Sequence, residues 1–146
     1  MRTRREAREL GVQALYQLET RADEDQQAIL ATFWAHFAPD GESSGFEREL
    51  VDGVLANKER IDALIAEAAQ HWRLGRLSRV DLGVLRLATF ELLGRPDIPA
   101  AVTIDEAIDI ARRFGGPESA SFVNGVLDAI ATRLDVKSGD KPQAVE

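Results

Sequence analysis

The fold is decided by residues 80–93, which read "VDLGVLRLATFELL". Drawn as a helix, this segment places apolar side chains on nearly every side, so it is stable only where neighbours enclose it. Ser78 stands just before the segment as a candidate N-cap, and Asp81 puts a negative charge into the first turn. The stretch therefore predicts a central helix, and the rest of the chain must supply the helices that cover it.

Outward from this segment, apolar residues recur at spacings of three and four, which is typical of helices with one buried face. Pro96 and Pro99 end the central helix, and Gly115 with Gly116 ends the helix that follows it. No alternating strand pattern competes, so we predict an all-α fold, a compact bundle of about seven helices. The other six are expected at Arg4 to about Glu19, Gln26–Phe37, around Phe46–Leu55, around Ile61–Trp72, around Ile104–Phe114 and from about Glu118 to Leu134.

Two helix starts have the capping-box pattern. In this pattern a hydroxyl residue and a glutamate three positions later each accept a hydrogen bond from the backbone amide of the other. These pairs are Ser44 with Glu47 and Thr103 with Glu106. We expect the first pair to begin the third helix and the second pair to begin the sixth.

Two apolar segments, "LVDGVL" (50–55) and "FVNGVL" (122–127), resemble each other, and each places a glycine inside a helix, Gly53 or Gly125. Glycine in a helix costs about 1 kcal/mol relative to alanine, so we expect another backbone to approach closely at both positions. Two helical subdomains would explain the likeness, and chance similarity between two short apolar helices is the alternative.

The length of 146 residues suits one domain with a real core, which we place at 1–136 with subdomains of about 1–72 and 73–136. Residues 137–146 have almost nothing to bury and are predicted to be a disordered tail. The chain has no cysteine, which excludes disulfides and thiolate chemistry. It has no apolar stretch of membrane-spanning length and no secretory signal, so we expect a cytoplasmic protein.

Patterns that carry catalysis or bind a metal are missing from the sequence. The only histidines, His36 and His71, have no second histidine at metal-ligand spacing. No phosphate-binding glycine loop and no nucleophile elbow occurs. We therefore expect no enzymatic activity, no metal and no cofactor.

Charge is unevenly distributed along a chain whose net charge is −7. Residues 1–10 carry four arginines and two glutamates, a net charge of +2, and residues 73–95 have a net charge of +3. Between them, residues 23–67 have a net charge of −8. A polyanion would be repelled by most of this surface and attracted to the two basic zones.

The arginines of the first eight residues lie where a helix dipole opposes positive charge, which indicates that a bound anion compensates them. Guanidinium groups bind phosphate through two hydrogen bonds and stack on bases. We favour RNA over DNA because the central helix is too apolar to be a DNA recognition helix. Tyr16 and Phe122 are candidate platforms for bases, although Phe122 fits an ordinary core aromatic equally well. Four phosphate contacts would give log affinity a slope of about −3 against log salt.

Four segments together resemble the NusB family of bacterial transcription antitermination factors. They read "RREARELGVQALYQLE", "RLSRVDLGVLRLATFELL", "DIPAAVTIDEAIDIARRFGG" and "SFVNGVLDAIA", and they run in the family's order over nearly the whole chain. The resemblance implies an all-helical fold of two subdomains. It also implies binding to boxA RNA of ribosomal RNA operons as a heterodimer with NusE, a small-subunit ribosomal protein. NusA, NusG and RNA polymerase would complete the antitermination complex.

The resemblance also implies which residues bind. RNA contacts would fall on Arg4, Arg5, Arg8, Tyr16, Glu118, Ser119, Phe122 and Asn124, with Arg2, Arg76 and Arg79 extending the track. The NusE face would include Asp81, although Asp81 also fits a residue that serves only its own helix end.

Two other functions stay open at this point. One is a helical protein–protein adaptor that uses its acidic face. The other is an RNA-positioning domain related to those of ribosomal RNA methyltransferases, for which the chain has no room for the methyltransferase part. The sequence also leaves open whether the free protein is a monomer or a homodimer.

Overall fold

Seven α-helices and no strand make up the residues that the structure, a computed structural model, describes: 2–39, 45–70 and 77–136. This confirms the predicted all-α fold. The helices are α1 (Arg4–Thr20), α2 (Gln26–Phe37), α3 (Phe46–Ala56), α4 (Lys58–Ala68), α5 (Arg79–Gly94), α6 (Ala100–Gly115) and α7 (Pro117–Leu134).

The predicted central helix is α5, which packs against α1, α3, α4, α6 and α7. Leu85 and Leu92 on α5 are fully buried, as the apolar character of the segment on all sides requires. The helix begins as predicted, because the Ser78 hydroxyl oxygen accepts a hydrogen bond of 3.0 Å from the backbone amide of Asp81. The other helices therefore surround one apolar element.

Two charged side chains of α5 are buried and bind neighbouring helices. Arg86 donates to both carboxylate oxygens of Asp62 on α4, at 2.8 and 3.0 Å, and to Glu19 on α1 at 3.3 Å. Glu91 binds Arg8 of α1. Because such pairs have strict geometry, they fix how α1 and α4 lie along the central helix.

The predicted start of α6 is wrong. The helix begins at Ala100, one turn earlier than the expected Thr103–Glu106 box, with Pro99 as the N-cap residue. The carbonyl of Pro99 accepts from the amides of Val102 and Thr103, and the ring fixes a φ suited to a helix start. Thr103 lies inside the helix and donates its hydroxyl to Glu91 at 3.3 Å. At the third helix, Ser44 lies outside the described residues, and Gly45 is the N-cap residue.

The two helical glycines have different surroundings, so the likeness of their segments reflects no shared packing. A Cβ at Gly53 would lie 2.2 Å from the ring of Phe90 on α5. Close approach is therefore confirmed there, although a ring and not a backbone fills the space. A Cβ at Gly125 would have no heavy atom within 4 Å, so the expectation of close approach is wrong at that position.

One hydrophobic core contains residues from both sides of residue 72. The boundary itself lies in residues 71–76 and the proposed tail in 137–146, both outside the described residues. The division into two subdomains and a disordered tail stays a prediction. Among the described helices, none combines the length and the apolar character that crossing a bilayer requires.

Candidate nucleic-acid interface

The first turn of α1 positions the arginines of the amino-terminal end. Thr3 and Glu6 form a complete capping box, with the Glu6 amide donating to the Thr3 hydroxyl at 3.1 Å and the Thr3 amide donating to the Glu6 carboxylate at 2.9 Å. The hydrogen bond that the Thr3 backbone amide donates to the Glu6 carboxylate lowers the pKa of Glu6. The helix start is thereby ordered, and the arginines project from it in defined directions.

Arg8 points into the protein, with only 4% of its side chain exposed. Its Nε and Nη2 donate to the two carboxylate oxygens of Glu91, both at 2.8 Å, and its guanidinium lies 5.4 Å from the centroid of the Phe46 ring. A guanidinium enclosed in this way cannot reach a phosphate. We therefore remove Arg8 from the predicted RNA contacts and assign it to docking α1 on α5.

Arg5 is half exposed but bonded to carboxylates of α6. It donates to Glu106 at 3.1 and 2.6 Å and to Asp109 at 3.0 Å. The hydrogen bond and charge of Glu106 raise the pKa of Arg5, and the hydrogen bond from Arg5 lowers the pKa of Glu106. Arg5 can therefore bind an RNA phosphate only if it first releases its carboxylate partners.

Arg2 and Arg4 differ from Arg5 and Arg8, since neither forms an ion pair with any residue in the described ranges. Arg2 donates to the backbone carbonyl of Phe37 at 2.6 Å. Arg4 is exposed, and its guanidinium lies 5.3 Å from the centroid of the Phe46 ring. Within the described residues no carboxylate binds these two side chains directly, and their charges act on Glu6 and Asp97 from a distance.

An apolar groove opens farther along α1. It has a volume of about 310 Å³ and is lined by Val12, Gln13, Tyr16, Gln17, Phe33, Phe37, Val80 and Phe114. Three of its aromatic side chains are exposed: Tyr16 by 40%, Phe37 by 44% and Phe114 by 46%. The exposure of Tyr16 agrees with its predicted position off the buried stripe. Residues from four helices form this groove, which is why the sequence pattern could not predict it.

The start of α5 lies beside the groove. Arg79 is exposed there, and Asp81 is half buried close to the turn between α6 and α7. A Cβ at Gly115 would lie 2.3 Å from the Ser119 hydroxyl and 3.6 Å from Oδ1 of Asp81, so these side chains are neighbours. Within the described ranges, Oδ1 of Asp81 is buried and accepts no hydrogen bond.

The start of α7 presents the other predicted RNA residues. Gly116, with a φ of 89°, makes the turn that leads from α6 into α7. Glu118 and Asn124 are exposed, while Ser119 and Phe122 are half buried. Phe122 packs against the hydrophobic core, which favours the core-aromatic interpretation for part of its ring. Arg76 lies outside the described residues.

Two basic residues that the sequence interpretation missed lie between these regions. Arg112 and Arg113, on α6, have 57% and 65% of their side chains exposed. Arg112 binds Asp109 at 3.0 Å, and Arg113 binds Glu9 on α1. Basic residues are common in the last turn of a helix because they complement its dipole, so this pair carries little signal in the sequence alone.

The pairing of Glu106 makes a prediction about acid stability. A carboxyl whose pKa is lowered by folding stabilises the protein above its unfolded-state pKa, and this contribution is lost as the pH falls through the lowered value. We expect Glu106→Gln to lower stability by less than about 1 kcal/mol at pH 7, since Arg5 is half exposed. The difference from the wild type should vanish in acid. Urea unfolding between pH 7 and pH 3 measures it, and a difference that is constant with pH would contradict the assignment.

Metal chemistry finds no support in the residues that the structure describes, which contain no cluster of His, Cys, Asp and Glu able to hold an ion. The features that remain in the described residues are arginines without an ion pair at one end of α1, paired arginines along α6, and an aromatic groove beside a half-buried acid. These suit recognition of an anionic polymer and of a protein partner.

The chain is similar to known proteins over most of its length. The sequence model of the NusB family matches residues 5–132. A transcription antitermination protein NusB from Geobacter sp. (strain M21) is 47% identical over 145 residues, which cover 94% of this chain and 99% of that relative. The structure of T. maritima NusB is similar with a TM-score of 0.81 at 43% identity, covering 98% of this chain and 96% of that one. A structure of the antitermination factors NusB and NusE in complex with dsRNA shares the fold, with a TM-score of 0.74 at 24% identity over 89% of this chain and 96% of that one.

Proposed function

The chain belongs to the NusB family of transcription antitermination proteins, and from that premise we propose that it binds boxA RNA of ribosomal RNA operons together with NusE. The observation that carries the RNA part is that Arg2 and Arg4 form no ion pair within the described residues of a chain whose net charge is −7. Its relatives are antitermination proteins and not enzymes, as predicted. NusA, NusG and RNA polymerase complete the complex, which acts in the cytoplasm.

The RNA path begins at the start of α1, follows the α6 arginines and ends at the start of α7. Arg2 and Arg4 attract the backbone, and Arg5 binds it after releasing Glu106. About 12 Å of α6 separates Glu106 from Phe114, since a helix rises 1.5 Å per residue. Beyond that point the path reaches the exposed residues of α7, with Tyr16 offering its ring to a base. The remaining members of the path are Arg79, Glu118, Ser119, Phe122 and Asn124.

The partner face is the side of α5 that carries Asp81. Asp81 is half buried beside the groove, and its carboxylate would attract a basic side chain of a ribosomal protein. In the dsRNA complex with a similar fold, a NusB is bound to NusE. The apolar groove adjoins this acid and would bury apolar side chains of the same partner. If Tyr16→Ala weakens NusE binding in the absence of RNA, Tyr16 belongs to the partner face and not to the RNA path.

Antitermination is favoured over the two alternative functions. The Geobacter relative is matched over 99% of its length, and it is an antitermination protein and not a ribosomal RNA methyltransferase. A pure protein adaptor would need no arginines at one end that lack an ion pair within the described residues, as Arg2 and Arg4 do. A pull-down of NusE with and without ribonuclease separates the two, since the proposal requires RNA to strengthen the complex. Light scattering of the free protein tests the homodimer.

Salt dependence tests the RNA contact. With Arg8 buried, three arginines remain at the start of α1, so log affinity should fall against log salt with a slope of about −2. Arg4→Ala should weaken binding several-fold and reduce the slope by about 0.7. The measurement is fluorescence anisotropy of boxA RNA with NusE present. The matched control is Arg133→Ala, an exposed arginine at the end of α7 paired with Glu67. Equal losses in the two variants would contradict the placement.

A further inference from the structure

Three exposed arginines between α1 and α6 are each paired with a carboxylate of the same chain, unlike Arg2 and Arg4. We call this set the α1–α6 charge strip. Its three arginines and three acids are Arg5, Arg112, Arg113, Glu9, Glu106 and Asp109. Three positive and three negative charges leave the strip neutral, although it lies across the proposed RNA path.

The pairs of the strip connect α1 and α6 at successive positions along both helices. Arg5 near the start of α1 meets Glu106 and Asp109, and Glu9 one turn later meets Arg113 farther along α6. The contact of Arg5 with Glu106 uses two nitrogen atoms and both carboxylate oxygens. A carboxylate bound in this way accepts from the same guanidinium N–H groups that a phosphate would need.

A phosphate can therefore bind the strip only by displacing a carboxylate, which then faces the phosphate as a like charge. Such an exchange gains little electrostatic free energy, so the strip adds little to the attraction of an arbitrary RNA. Arg2 and Arg4 form no ion pair within the described residues, so a phosphate can approach the exposed part of each without displacing a carboxylate there. The basic end of the molecule thus contains two kinds of arginine: Arg2 and Arg4, which are in no ion pair of the described residues, and the arginines of the strip, which are paired.

We propose that Glu106 and Asp109, with Glu9, are specificity-determining residues. They keep the arginines of the strip in ion pairs when the RNA is arbitrary, and they release these arginines only to an RNA whose bases also bind the protein. This inference rests on the proposed function, because it presumes that RNA follows this path. Base contacts at the start of α7 supply the free energy that opens the pairs. The half-exposed position of Arg5 makes the exchange feasible, since exposed pairs are weak.

The test is a double variant, Glu106→Gln/Asp109→Asn, which leaves Arg5 and Arg112 without these carboxylates and preserves side-chain size. Binding of boxA RNA and of a scrambled RNA is measured against salt with NusE present. We expect affinity for the scrambled RNA to rise about tenfold and its salt slope to steepen by about 1.4, since two cations are freed at about 0.7 each. Affinity for boxA RNA should rise less than about threefold, so discrimination falls.

The matched control removes two exposed acids elsewhere, Asp52→Asn/Glu59→Gln on α3 and α4, and changes the net charge equally. Thermal unfolding of both variants checks that they remain folded. If the strip variant and the control raise scrambled-RNA affinity equally, or if the strip variant keeps the wild-type discrimination, the inference is overturned while the proposed function stands. If the wild type itself does not prefer boxA RNA, the proposed function fails, and the inference fails with it.

Discussion

Arg8→Ala is expected to lower the midpoint of thermal unfolding by roughly 6–20 °C. The substitution leaves the carboxylate of Glu91, only 1% exposed, without its bidentate partner. Breaking a buried ion pair by removing one partner costs about 3–5 kcal/mol. For a domain of this length, each kcal/mol lowers the midpoint by about 2–4 °C. Differential scanning calorimetry measures the shift.

Two controls isolate the cause. Arg5→Ala removes an arginine of the same helix turn that is half exposed, and it should cost less than about 1 kcal/mol. Arg8→Met/Glu91→Leu removes both buried charges and should recover much of the lost stability, because apolar residues of similar size replace buried pairs well. If Arg8→Ala and Arg5→Ala shift the midpoint equally, the structural role of Arg8 is wrong.

Alanine at the two similar glycines is expected to have opposite effects. Gly53→Ala would push a methyl group into the ring of Phe90, at 2.2 Å from its Cζ atom, and overpacking of this kind costs about 1–3 kcal/mol. The same ring also packs against Gly94, where a Cβ would lie 2.7 Å from it. Gly125→Ala meets open space and should stabilise the protein by about 0.5–1 kcal/mol, because alanine is the better helix former.

Urea unfolding of both variants under the same conditions measures the sign of each change in the free energy of unfolding. A third variant, Gly53→Ala/Phe90→Leu, replaces the ring with a smaller side chain and should recover part of the loss. The same sign for both single variants would contradict the different surroundings that the structure gives to the two glycines.

Local patterns predicted those parts of the fold that depend on neighbouring residues. The apolar run at 80–93 identified the central helix, and the bounds Gln26–Phe37 agree with α2 because periodicity and an N-cap residue are local signals. The predicted start of α6 was wrong because two local patterns each indicate a helix start. The helix begins after Pro99 and not at the capping box of Thr103. The proline acts earlier in the chain, and its carbonyl closes the first turn.

The candidate site was less predictable because its contacts are distant in sequence. Arg8 and Glu91 are separated by 83 positions, so nothing near Arg8 indicates that it is buried. Arg5 and Glu106 are 101 positions apart, and the neutralisation of Arg5 was equally hidden. The resemblance to a family supplied the type of partner. Which arginines remain open to it is a property of the packed helices.

The central claim is that RNA meets the protein at the start of α1 and at the start of α7. Photo-crosslinking of boxA RNA carrying 4-thiouridine to the complex with NusE, followed by peptide mapping, tests it most directly. We predict crosslinks within residues 2–16 and 116–124 and none within α3 or α4. Crosslinks confined to α3 and α4, in the acidic part of the chain, would contradict the account.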